Sequence, residues 1–150
     1  MRPIDIEEAK EYLKKIKELE TVIHNKQIEL QQLNTLATSI TAPTDREAVQ
    51  TSNISDKVGN CAALIADLKA EIIKDITTYL VEKSNRIKVI ECVRLQNCLQ
   101  YDLLFKHYVE YKELVNVAPE LRLSYPYVLE LHQEALKKVA KILKNQQNPM

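Results

Sequence analysis

A single glycine, Gly59, stands in 150 residues, against an average of about 7% in globular proteins. Glycine is the usual residue of tight turns and of backbone at positive φ, so a chain nearly without it has little means of building a hairpin-rich sheet. The absence of Trp and the lone Phe point the same way, because strands draw on aromatic and β-branched side chains. Long helices are what remains. Hydrophobic residues make up 45% of the chain, ample for a core, and this length ordinarily makes one domain, or one domain with an extended arm.

The apolar pattern says how those helices associate. From Asp5 to about Ala37, one series recurs at Ala9, Ile16, Ile23, Leu30 and Ala37, and a second at Tyr12, Leu19, Lys26 and Leu33. This is the a/d pattern of a coiled coil or a long helical hairpin. At about 1.5 Å per residue such a helix is on the order of 50 Å long, too long for a small bundle to cover, so it needs a partner helix. Lys26 interrupts the seam; its stem is expected to pack while the ammonium reaches water, with a register-setting role as the alternative. Residues 38–54 turn to Thr, Ser, Pro and Asn and read as a mobile connection. Ser55 or Asp56 then caps a second long helix whose stripe includes Val58, Ala62, Ile65, Leu68, Ile72, Ile76, Tyr79, Ile87 and Ile90. Leu64, Ile73, Leu80 and Val81 widen that stripe enough to touch more than one neighbour, and Gln96-Asn97 marks its end. Residues 1–96 are thus expected to form a two-helix coiled-coil arm, closed within one chain or in a homodimer through these helices.

Residues 97–150 read as a compact domain of three short helices. Leu103, Leu104, Tyr108 and Val109 share one helical face, and Leu114, Val117, Ala118 and Leu121 another. Ser124 stands at an N-cap position ahead of Val128, Leu131, Ala135 and Leu136. Runs this short are not stable alone, so they must share a core.

The stretch Tyr101–Leu136, YDLLFKHYVEYKELVNVAPELRLSYPYVLELHQEAL, resembles the C-terminal region-four domain of bacterial sigma factors. It is most similar to the form found in phage and prophage transcriptional regulators of the ArpU-like type, which place a helical segment before it. The resemblance implies a helix-turn-helix. Val117, Ala118 and Leu121 match its first helix, Ser124 the cap of its recognition helix, Val128, Leu131 and His132 the buried side of that helix, and Ala135-Leu136 its end. It also implies function: a phage-encoded regulator bound to duplex promoter DNA, with or without host RNA polymerase, in the host cytoplasm. Tyr125, Tyr127, Glu130, Gln133, Lys137 and Lys138 would then face DNA. The alternative is a helical protein-protein interaction module that keeps this scaffold without base reading.

Three features depart from the pattern. Pro119 falls inside the first helix and is expected to shorten or bend it. Arg122 occupies a turn position that usually holds Gly. The recognition face carries Tyr125, Pro126, Tyr127 and Glu130 where the family has Arg and Lys.

Other chemistry is excluded. The formal charge is zero, so attraction to nucleic acid must be local, and the basic run Lys137, Lys138, Lys141 and Lys144 serves a DNA backbone or the dipole of its own helix. One glycine cannot build a phosphate-cradling loop, so no nucleotide cofactor is expected. His24, His107 and His132 lack metal-ligand spacing, and Cys61, Cys92 and Cys98 form no Cys-x-x-Cys pair, so no metal is expected and the thiols read as buried and reduced. Glu7, Glu8, Glu11, Lys14 and Lys15 pair along an exposed helix face and do not form an acid-base site. With no nucleophile constellation, the chain does not read as an enzyme. No signal-peptide core or membrane span is visible, so a soluble cytoplasmic protein is expected.

Overall fold

The computed structural model describes residues 5–41 and 51–147. Among them every regular element is helical and there is no strand. Helix α1 spans Ile6–Thr41, α2 Thr51–Arg94, α3 Cys98–Leu104, α4 Leu114–Leu121 and α5 Tyr125–Gln147, and a π-helical turn at Phe105–Val109 continues α3.

The helix ends follow capping chemistry closely. The Asp5 carboxylate accepts the Glu8 N–H at 2.9 Å, and Glu7 and Glu8 place negative charge at the positive end of the α1 dipole. The Asn97 side chain accepts the Gln100 N–H at 3.1 Å and starts α3, so the break expected at Gln96-Asn97 is present. The expected connection at 38–54 is shorter at both ends, because residues 38–41 continue α1 and residues 51–54 belong to α2; its remaining part lies outside the described residues. Ser55 and Asp56 are therefore interior to α2 and do not cap it. Thr, Ser and Asn cost a helix only about half a kcal/mol each, and without Gly or Pro at 51–58 nothing there stops one.

The packing separates into two units, residues 1–19 with 79–150, and residues 20–78. This differs from the expected arm at 1–96 and domain at 97–150. In the first unit, Ala9 and Leu13 of α1 and Val89, Ile90 and Val93 of α2 share one core with Leu103, Leu104, Tyr108, Val117, Ala118 and the inner face of α5. The physical reason is the size of the C-terminal helices: with α3 at 7 residues and α4 at 8, they cannot bury enough apolar surface by themselves. Arg86 is buried in this unit, where its Nε donates to the Tyr12 carbonyl at 2.7 Å. Its guanidinium lies 4.1 Å from the centre of the Tyr12 ring and pairs with Glu82.

In residues 20–78, Ile23, Cys61, Leu68 and Ile72 are buried, while Leu30, Leu33 and Ala37 are half-buried. Lys26 does not simply extend to water. Its ammonium pairs with Asp75 of α2, with Glu71 3.6 Å away, and the hydrogen bond to Asp75 raises its pKa. Thiol burial holds for Cys61 only: Cys92 and Cys98 are exposed and unbridged, because they fall on the solvent side of the last turn of α2 and the first of α3.

Candidate nucleic-acid interface

α4 and α5 are joined by the three residues Arg122, Leu123 and Ser124. Pro119 does not end α4, which runs two residues past it to Leu121. Pro119 and its preceding turn at Val115 and Asn116 are exposed, so the carbonyl deprived of a helical donor can bond to water. The turn closes by two bonds, Leu123 N–H to the Ala118 carbonyl at 2.9 Å and Arg122 N–H to the Pro119 carbonyl at 3.1 Å, the pair that defines a Schellman ending. It needs a left-handed residue, and Arg122 supplies it at φ 59 and ψ 41. Ser124 then caps α5: its Oγ accepts the Tyr127 N–H at 3.4 Å, and its carbonyl takes the Val128 N–H at 3.0 Å. Val117 and Ala118 on α4 and Val128 and Leu131 on α5 are buried in the common core.

This packing fixes which side of α5 faces outward. Tyr125 and Tyr127 are 44% and 46% exposed, so their rings do not close the core. Glu130, Gln133 and Lys137 are exposed, and Lys138 is half-buried. At 100° per residue, Glu130, Gln133 and Lys137 fall on one outward face, Tyr127 and Lys138 on one flank, and Tyr125 on the other. The six candidate residues therefore form no single cluster. From Glu130 to Lys137 is about 10 Å along the axis, and Lys137 is grouped with Lys141 and Lys144 along an open groove of about 470 Å³ that Asp5 and Glu7 also line. The outward side of the first three turns holds Pro126, Glu130, Gln133 and Glu134 with no cation.

Behind this surface lies a polar cluster that the sequence reading did not assemble. The Tyr108 hydroxyl and His132 Nε2 are 2.7 Å apart, and His107 packs edge-on against both rings. His107 Nδ1 is 2.7 Å from the Lys112 carbonyl, an oxygen that can only accept, so that nitrogen carries the proton. Burial, with His107, Lys10 and Lys14 nearby, pushes the His132 pKa down to about 4. Burial lowers that of His107 too, against the opposing effect of its bond to Lys112. Both rings are neutral at pH 7. Their signal in the sequence was weak, because residues 24 apart announce no pairing. The segment before α4 is tied down by Lys112, which pairs with Glu120 at 2.8 Å; that hydrogen bond lowers the Glu120 pKa.

No family model, curated protein or solved structure matches the chain. Among the described residues no group of three or more His, Cys, Asp or Glu could hold a metal ion, and no helix is long and apolar enough to cross a membrane.

Proposed function

We propose that this chain is a DNA-binding transcriptional regulator of the phage-encoded kind, using α4, its turn and α5 as a helix-turn-helix similar to sigma region four. One observation supports this most directly. An eight-residue helix, a three-residue turn closed in the Schellman manner and a capped second helix follow one another, and the first turns of that helix are uncovered at Tyr125, Pro126, Tyr127, Glu130 and Gln133. That is the shape by which a recognition helix presents its N-terminal residues to a major groove. Duplex promoter DNA is the partner in this reading, with host RNA polymerase as a second one. The paired helices of residues 20–78 act as a coiled-coil arm.

Tyr125 and Tyr127 would donate to phosphates, Glu130 and Gln133 would lie nearest the base edges, and Lys137 and Lys138 would meet the DNA backbone. Because Glu130 repels phosphate, wild-type affinity for non-specific duplex is weak. Glu130→Arg strengthens it and steepens the log-log salt dependence by about 0.9 for an added phosphate contact. Lys137→Ala and Lys138→Ala weaken binding on all sequences alike. Fluorescence anisotropy with duplex DNA over several salt concentrations measures all three; binding unchanged in every variant would remove α5 as the DNA-facing element.

A second reading, a protein-protein interaction module, is favoured by the exposed apolar groups around the same turn, Val115, Tyr125, Tyr127 and Leu129. Substitutions there that abolish capture of a protein partner, with no salt-dependent DNA binding in the wild type, would decide for it.

A further inference from the structure

The long helix α2 carries two stripes. Cys61, Leu68 and Ile72 lie on its buried side, whereas Ala63, Ala66, Ala70, Ile73, Thr77 and Leu80 repeat at alternating three- and four-residue spacing and are all exposed. Ile73 is 66% and Leu80 59% exposed. The Thr77 hydroxyl donates to the Ile73 carbonyl of its own helix at 3.0 Å, which satisfies the only polar side chain in the stripe. A heptad stripe of this kind is the seam of a helix pair.

We propose that the occupant of this face is the α2 helix of a second copy, running antiparallel across a two-fold axis. This goes beyond the DNA-binding reading and does not depend on it. Two independent features select the arrangement, and the first is size. Setting Ala70 opposite Ile73 of the second copy also sets Ala66 opposite Thr77. The two-fold axis repeats each pair, giving four layers in which a larger side chain always meets an alanine. Such layers let two helices approach to about 8 Å without voids or overlap.

The second feature is charge. In this register Asp67 of one copy flanks the seam within one turn of Lys74 of the other, and the axis makes the contact twice. Parallel pairing would instead stack Ala on Ala and bring Lys69 against Lys74. Only the antiparallel register fills the seam and pairs the charges. The seam from residue 66 to residue 77 is about 17 Å long, small for a stable interface, so dimerisation in the micromolar range is expected.

Sedimentation equilibrium of the full chain from about 1 to 200 µM brackets that range. A thiol reductant is included because Cys92 and Cys98 are exposed. The wild type should associate to a dimer, and Ile73→Glu should weaken association about tenfold or more with an unchanged circular dichroism spectrum. Asp67→Lys and Lys74→Asp should each weaken it, and the double variant Asp67→Lys/Lys74→Asp should restore it, because the swapped pair is again complementary. A wild type monomeric throughout the range, or a dimer indifferent to Ile73→Glu, overturns the proposal. Failure of the double variant to recover overturns the antiparallel register. None of these outcomes alters the DNA-binding assay of the wild type.

Discussion

Arg122 holds a backbone conformation that costs a side chain with a Cβ about 1–2 kcal/mol, and the Schellman closure of α4 requires it. Its side chain is exposed, so the position should respond to backbone effects nearly alone. Glycine removes the steric cost but adds unfolded-chain entropy worth about 0.4–1 kcal/mol. Arg122→Gly is therefore expected to gain about half a kcal/mol, and Arg122→Val, β-branched at positive φ, to lose more than about 1 kcal/mol; urea denaturation measures both. His132 is the opposite case, a residue whose surroundings decide everything. Its pKa falls from 6.5 unfolded to about 4 folded. Between those values the unfolded chain binds the extra proton, so stability is complete above pH 6.5 and declines as the pH drops toward 4. The full loss is roughly 3 kcal/mol, and His107, shifted in the same direction, adds to it. Denaturation at pH 7, 5.5 and 4.5 should show this acid limb in the wild type and a flatter one in His132→Gln.

At the scale of elements, spacing revealed which face of a helix is apolar but not what would cover it. Ala9, Ile16 and Ile23 were legible as buried positions, and so were Val117, Ala118, Val128, Leu131 and the capping role of Ser124, because each rests on local periodicity or local hydrogen bonding. Leu13 was not read as core, although it is completely buried. It sits beside Tyr12 in the heptad series, and only the C-terminal helices, which no local pattern connects to α1, make it the more central of the two. The same limit hid the Tyr108–His132 contact, the Lys26–Asp75 pair and the π-helical turn. The Arg122 geometry was foreseen as a demand for glycine and is met without one. Leu13→Ala is accordingly expected to cost about 2–5 kcal/mol, whereas Leu36→Ala, at a residue 53% exposed, should stay within about half a kcal/mol. Thermal unfolding of the two variants side by side distinguishes a packed position from an apolar residue facing solvent.

At the scale of the whole molecule, the all-helical class followed from the scarcity of glycine, but the grouping of the helices did not. The C-terminal helices are completed by residues drawn from both α1 and α2, and Ala9 and Leu13 share their core with Leu143 of α5. During synthesis Leu13 emerges about 130 residues before Leu143; at roughly 5–20 residues per second the interval is on the order of 7–25 s. Through that interval Ala9 and Leu13 lack the C-terminal helices of their core, and until α2 is complete they lack Val89, Ile90 and Val93 as well. A nascent chain arrested near residue 95 should present this segment to chaperones that hold apolar helices, and a protease pulse should cut it there; release of the finished chain should end both.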